Sequence, residues 1–386
     1  MEYLPDFEFN RVLILFCFLG LMLFIQFLFA VLIFGRLAFM KKTEVQGPAD
    51  QEAGKKEFPP VSIVIAARNE SDNLYHNLPL ILNQDYPNFE VVVVNHQSID
   101  NSYQVLYAMR MNDPKLKLIE VERSKHLGTG KKFPLSLGIK AANHELLLLT
   151  DADCRPESKD WLSLMVSRLT GSKKMVLGYA PYKKQKGFLN RLIRLDTAFI
   201  GMNYLSFARA GLPYMGVGRN LAYTKSLFES VNGFKSHYSI ISGDDDLFVQ
   251  DAAKKRNYTI QVDSNTFCLS DAKESWADWM RQKARHYTTS PRYQVIKKLL
   301  LGIYPLSLIL AWISFVILLF DAEYRWLSLA GFGLVMILKW IIQGKCLLRL
   351  KASSFVYAFP FWDLFYAIFV PIIYYTSEKD RLGKWK

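Results

Sequence analysis

Apolar residues in this chain form long runs at the two ends and short runs in the middle. Near the start, Val12 to Phe34 is apolar apart from Gln26. That is long enough for a helix across a bilayer core. Three more long runs close the sequence: Leu299–Phe320, Trp326–Leu348 and Phe355–Tyr375. The second holds Lys339 near one end, where an ammonium is expected to snorkel to the interface. The third carries Pro360, Asp363 and Pro371 and is the least regular of the three as a spanning helix. In the middle, strand-like runs occur at "VSIVIAA" (61–67), "FEVVVVN" (89–95), "LKLIEV" and "HELLLLT" (144–150). Helices are expected between them, at about 70–84, 99–111 and 131–143. The first, second and fourth strands are continuous branched apolar runs without alternation. That predicts an α/β layer, a mainly parallel sheet with helices on both faces.

These patterns divide the chain into an N-terminal anchor (1–35), a polar linker (36–57), an α/β unit (58–295) and a C-terminal membrane region with two or three spans (296–386). Glu2, Asp6 and Glu8 precede the first run, and no small-residue cleavage site follows it. A retained anchor is expected rather than a signal peptide. Arg36, Lys41 and Lys42 flank its far side, which puts the chain from 36 onward in the cytoplasm of what is expected to be a bacterial inner membrane. Three closing spans would then carry Lys379, Arg381, Lys384 and Lys386 outside, against the same rule. The conflict disappears if one of the three is re-entrant or interfacial.

The net charge of +13 changes the picture of partners. Beside membrane runs it suits anionic membrane lipids and an anionic phosphorylated substrate, and no nucleic acid partner is expected. Cys17, Cys154, Cys268 and Cys346 form no C-x-x-C pair, and two of them lie in membrane runs. A disulfide framework or zinc site is therefore not expected.

Candidate chemistry sits where strands end. "LLLLTDADC" runs a buried strand into Asp151 and Asp153. In open α/β sheets ligands bind beyond the carboxyl ends of strands. A D-x-D there suits a hard divalent cation, magnesium or manganese, shared with phosphate oxygens. A solvated turn or helix cap is the competing reading. Asp244, Asp245 and Asp246 are three adjacent acids, whose mutual repulsion raises at least one pKa and suits a general base. Acids at a helix N-terminus would need no chemistry. Gln282, Arg285 and His286 share one helical face by spacing, which fits a diphosphate or an acceptor, or else a basic membrane-surface helix. Lys131 follows glycines at a helix start, a reasonable phosphate site without Walker spacing.

In order, "VSIVIAARNE", "FEVVVVNHQSIDNS", "GKKFPLSLG", "LLLLTDADC", "GRNLAY", "SGDDDLF" and "RQKARHY" resemble the membrane-embedded branch of family-2 glycosyltransferases with a GT-A fold. That branch includes cellulose, hyaluronan and poly-N-acetylglucosamine synthases and ceramide glucosyltransferases. The resemblance covers about residues 58 to 295. It implies a nucleotide-sugar donor, UDP-linked by analogy, and a lipid or saccharide acceptor. It further implies a divalent metal on Asp151 and Asp153, and Asp245 as general base with Asp244 as the fallback. Gln282 and Arg285 would match Q-x-x-R-W, closing over diphosphate and acceptor. Lys131, Arg68, Asn69 and Glu70 would contact the nucleotide. Two positions depart from the family. His96 stands where N/D-D-G-S has its acid, although Asp100 is retained, and His286 replaces the Trp that forms an acceptor platform. A single inverting transfer is the expected activity. A processive polysaccharide synthase and a catalytically inactive sugar-binding or scaffold subunit are the alternatives.

Overall fold

The computed structural model describes residues 11–41, 58–124 and 130–377. Lys42, the rest of the expected linker up to Glu57, Gly128, Thr129 and the basic residues from Lys379 onward lie outside the described residues, as do Glu2, Asp6 and Glu8. Seven strands form one sheet: β1 (Val61–Ala67), β2 (Phe89–His96), β3 (Leu116–Val121), β4 (Leu146–Asp151), β6 (Met175–Leu177), β7 (Leu221–Thr224) and β8 (Tyr258–Ile260). Their spatial order is β3-β2-β1-β4-β7-β6-β8. The first four are parallel, β7 is antiparallel to both β4 and β6, and β8 runs parallel to β6. A separate two-stranded ribbon pairs β5 (Cys154–Pro156) with β9 (Cys268–Ser270).

The unalternating runs form the centre as expected. Every residue of β1 is buried, and so are Val91 to Val94 of β2. Helices Ser71–Leu82, Ser102–Asn112 and Lys132–Ala141 cover the two faces. The last of these packs so closely that a Cβ at Gly138 would come within 2.7 Å of Val64 and 3.0 Å of Val94. Register then fixes the site edge: Ala67 pairs with Asn95, and Ala66 pairs with Asp151. The carboxyl ends of β1, β2 and β4 therefore finish side by side.

Among the described residues, four helices are long and apolar enough to cross a membrane: Arg11–Ala38, Val295–Leu318, Arg325–Arg349 and Phe359–Thr376. The first three form a bundle. Phe16 meets Tyr324 at one end, with ring centroids 5.0 Å apart, and Arg349 donates to the carbonyl of Ala38 at the other, at 3.2 Å. The fourth lies differently. Phe359 stacks on Phe199, the Tyr366 hydroxyl donates to Asp196 at 3.1 Å, Phe369 stacks on Trp279, and Tyr374 meets Tyr287. It thus touches helices Phe188–Arg209 and Trp276–Tyr287 along its length, and it packs as well against Val295–Leu318 and Arg325–Arg349, where Phe361 meets Trp312 and Ala367 joins the bundle's apolar cluster.

Lys339 does not snorkel. It turns into the bundle, donates to Asp363 at 2.8 Å and also reaches the Gln26 side-chain carbonyl. The Tyr304 hydroxyl lies 2.9 Å from both Asp363 oxygens. A buried charge in an apolar setting persists only when paired and hydrogen-bonded, and Asp363 and Gln26 meet both needs. Lys339→Met, which leaves Asp363 buried without its cation, is expected to destabilise the detergent-solubilised protein by about 3–5 kcal/mol. Thermal unfolding should show Lys339→Met/Asp363→Leu recovering most of that loss.

Candidate active site

The site forms where β4 ends. Leu147 to Thr150 are buried, and Asp151 is the first half-exposed residue after them. Side chains then alternate: Ala152 turns inward, its carbonyl accepting from Asn77 at 3.1 Å, and Asp153 turns out again. Lys131, just before helix Lys132–Ala141, reaches over this edge. Its ammonium lies 2.7 Å from Asp151 and 3.0 Å from Asp244. Burial alone would lower its pKa, but Asp151 and Asp244 outweigh it and raise it.

Lys132 points the other way. It donates to the carbonyls of His237, Ile240 and Ser242 at 2.6, 2.8 and 2.7 Å. It thereby fixes the loop that delivers the acidic triplet, while burial pulls its pKa down to about 8 against Asp244, Asp246 and Asp245. Gly243 follows with φ of 103°, a conformation that side chains resist. Gly218 backs the cluster from β7's side. A Cβ there would come within 3.3 Å of Lys131 Nζ and 3.4 Å of Asp244.

The three acids part ways. Asp244 is buried against Lys131, which outweighs desolvation and holds its pKa below the ordinary value. Asp246 is buried too, and accepts from the Tyr293 hydroxyl at 2.7 Å and from Thr289. It ties the triplet to the segment after helix Trp276–Tyr287. Asp245 is the partly exposed one. It accepts from the Gly218 N–H at 2.9 Å and the Asp246 N–H at 2.8 Å. Desolvation, then Asp244 and Asp246, raise its pKa to about 7.

Gln282, Arg285 and His286 face the same cleft. Gln282 donates to the Tyr182 hydroxyl at 3.2 Å, and Arg219 lies over the Tyr182 ring at 4.4 Å. Arg285 is close enough to help hold Asp244 ionised. Burial among the cleft walls and then Arg285, Lys283 and Arg219 push the His286 pKa well below its usual range. The residue as a whole still keeps a solvent-facing surface. A lowered pKa favours the neutral imidazole at neutral pH.

The expected nucleotide residues divide. Arg68 is half-exposed beside Arg123, and burial, then that neighbour, lower its pKa. Asn69, Glu70 and Asp100 join the loops after β1 and β2. Asn69 adopts φ of 53°, and its N–H donates to Ser98 at 2.9 Å. The Glu70 N–H donates to Ser102 at 3.0 Å. Asp100 accepts from the Ser71 N–H at 3.0 Å and the Ser102 hydroxyl at 2.6 Å. His96 is fully buried against Phe133, with ring centroids 5.7 Å apart, and offers the cleft no surface. Sequence reasoning missed Glu120, the exposed acid at the end of β3, which accepts from Asn95 at 2.8 Å and stands beside the position where the family's acid is lost. It also missed Arg219 and Tyr182, which become partners only through the fold.

Among the described residues no group of three or more His, Cys, Asp or Glu side chains makes a ready metal cage. Asp151 and Asp153 alone fit a cation that completes its shell with ligand phosphates and water. Past Tyr182 the site continues into a cleft of about 360 Å³. Arg155, Lys184 and Arg194 line it, with Phe355 and Leu350 at the end of the third membrane helix.

The comparisons with known proteins agree with this geometry. A family model described as glycosyl transferase family 21 matches residues 23–386. The Probable glycosyltransferase YdaM of Bacillus subtilis (strain 168) is 25% identical over 251 residues, 63% of this chain and 57% of that protein. A poly-beta-1,6-N-acetyl-D-glucosamine synthase of Staphylococcus epidermidis is 34% identical over 94 residues, 24% of this chain and 21% of that one. The chain spans less than two thirds of the length of these relatives. The mannosyltransferase PcManGT of Pyrobaculum calidifontis, solved in complex with GDP-Man and Mn2+, shares the fold. Its TM-score is 0.53 at 18% identity, covering 92% of this chain and 99% of that one. The expected GT-A-type layer flanked by membrane helices is borne out, and the chain belongs to glycosyl transferase family 21, as a membrane glycosyltransferase.

Proposed function

We propose that the protein transfers a sugar, with inversion, from a nucleotide-sugar donor to a hydroxyl of a lipid or lipid-linked saccharide acceptor. The observation that carries this reading is the split acid pair. Asp244 is held ionised by Lys131, while Asp245 is partly open with a pKa near 7. Pairs of carboxylates pushed apart in this way mark acid–base assignments. Asp245 as carboxylate takes the proton of the acceptor hydroxyl. The hydroxyl oxygen bonds to the anomeric carbon from the side opposite the donor diphosphate. The bond from that carbon to the diphosphate oxygen breaks, and its electron pair leaves with the nucleoside diphosphate. Arg285 and Lys131 lie where negative charge builds on that leaving group. A divalent cation held by Asp151 and Asp153 would supply further positive charge there, and the Mn2+ of PcManGT supports its inclusion. Arg68 and Glu120 stand at the nucleoside edge. The basic cleft beyond Tyr182 opens at the end of a membrane helix, which supports an acceptor that is partly lipid.

The lengthwise seat of helix Phe359–Thr376 supports a three-span topology. The α/β unit and the basic C-terminal residues then share one side, the cytoplasm by charge bias. Single transfer is favoured over a processive synthase because His286, not Trp, stands at the platform position. The full set of acids speaks against an inactive subunit.

Asp245→Asn should lower kcat by about 10²–10⁴-fold, measured as radiolabelled sugar transferred from sugar nucleotides in membranes. The base works only as carboxylate, so wild-type kcat/KM should fall as pH drops below about 7. A flat profile from pH 5 to 8 would remove Asp245 from this role. Chelation by EDTA, or Asp151→Asn, should abolish most transfer, with manganese or magnesium restoring the wild type alone. A fluorescent-protein fusion after Lys386 should glow in a bacterial host while an alkaline-phosphatase fusion stays inactive. The reverse pattern would make the last helix a span.

A further inference from the structure

The first membrane helix ends at Ala38, and the chain that follows is held firmly. The Phe39 N–H donates to Gly35 at 3.0 Å. Arg349 of the third membrane helix donates to the carbonyls of Ala38 and Met40. Beside this exit lies a second open cavity, of about 450 Å³, on the α/β unit's outer edge at Thr259 and Ile260 of β8. Arg36, Lys41, Arg168 and Arg209 line it, and no lining residue is acidic. Among the described residues, none of these four heads makes an ion pair or a side-chain hydrogen bond.

Like charges gathered this way repel. Burial lowers the pKa of the Arg168 guanidinium, with Asp263 opposing and Arg209 adding to the effect. Arg209 and Arg36 each sit in the last turn of a helix, where a cation is favoured. Those two helices and the segment carrying Arg168 are far apart in the sequence, and a preference at each helix end does not explain why Arg168 and Lys41 converge on the same cavity. An anion seated among them would offset the repulsion, and guanidinium pairs suit phosphate oxygens in particular.

Position identifies the source of the anion. Phe39, 57% exposed, stands at the cavity, and Leu21, Phe24 and Leu32 are exposed along the same membrane helix below it. An apolar track thus leads from the bilayer into a cationic cup, which matches a molecule with acyl chains and a charged head. We propose that this cavity binds the phosphoryl headgroup of an anionic phospholipid, with Arg168 and Arg209 on the phosphate and the acyl chains along the first membrane helix. The site is separate from the catalytic cleft and holds whether or not the sugar-transfer reading is right. It would fix the α/β unit's tilt on an anionic leaflet.

The test uses the full-length protein in detergent, with dihexanoyl phosphatidic acid as the probe and dihexanoyl phosphatidylcholine and inorganic phosphate as comparisons. Binding is read by native mass spectrometry and by the shift in thermal unfolding. Wild type should bind the phosphatidic acid at least about tenfold more tightly than the phosphatidylcholine, and Arg168→Gln/Arg209→Gln should lose about tenfold in that binding. Arg36→Gln/Lys41→Gln, altered on another wall, should lose a similar amount, so a folding fault in one pair leaves the other to decide. Arg110→Gln, on a distant helix, should bind as wild type does. Unchanged binding in both double variants, or equal binding of the two lipids, overturns the site. Inorganic phosphate binding as tightly as the phosphatidic acid keeps the phosphoryl chemistry but overturns the lipid as its source.

Discussion

One ammonium group joins the two halves of this enzyme. Lys131 lies between Asp151, at the end of the parallel half of the sheet, and Asp244, on the loop delivered by the second half. Among the described residues, neither acid has another cation as close. Without Lys131, a strand that ends in a carboxylate and a loop that begins with three would repel across the cleft. With it, the two carboxyl-bearing segments are pinned on either side of one charge. The rest of the site is arranged around that constraint: Gly218 leaves room for it, and Gly243 lets the acidic loop turn toward it.

The same pin explains why three adjacent acids behave as three different groups. Lys131 takes Asp244, and Thr289 with Tyr293 take Asp246. Asp245 is left with two backbone N–H donors and two charged neighbours. Its raised pKa follows from what its neighbours have claimed, not from any property of Asp245 in the sequence. The tie from Asp246 to Tyr293 also means that the base and the Gln282–His286 face are held by the same few residues. A shift of that helix relative to the acidic loop would therefore disturb base and diphosphate site together.

How much of this was legible in advance divides along physical lines. The unalternating strands named the parallel sheet, and register alone then placed Asp151 beside the ends of β1 and β2. Local pattern suffices where a rule acts within one strand. It failed for His96, because the sequence shows a histidine in a family's acid position but not that Phe133 covers it. It is silent on Lys132, which resembles its neighbour Lys131 in every local respect. Only the fold shows that the two ammonium groups face opposite ways, one into the acids and one onto three carbonyls. Arg219, Tyr182 and Glu120 were invisible for the same reason, since each gains meaning from a partner far away in the chain.

Helix Phe359–Thr376 shows where hydropathy itself stops being informative. Its mean hydropathy passes for a span, as does that of its neighbours. Yet a helix lying in the interface against an apolar protein surface needs the same composition as one crossing lipid. What separates the cases is where its two ends go, and composition carries no record of that. Here Phe359 and Tyr374, near opposite ends, both contact the α/β unit. Asp363, which weakens the sequence pattern as a span, is the residue that ties this helix to Lys339 and Tyr304 of the bundle. The irregularity in the pattern is therefore also a point of attachment: the carboxylate that breaks the apolar run is the one that ties this helix to its neighbours.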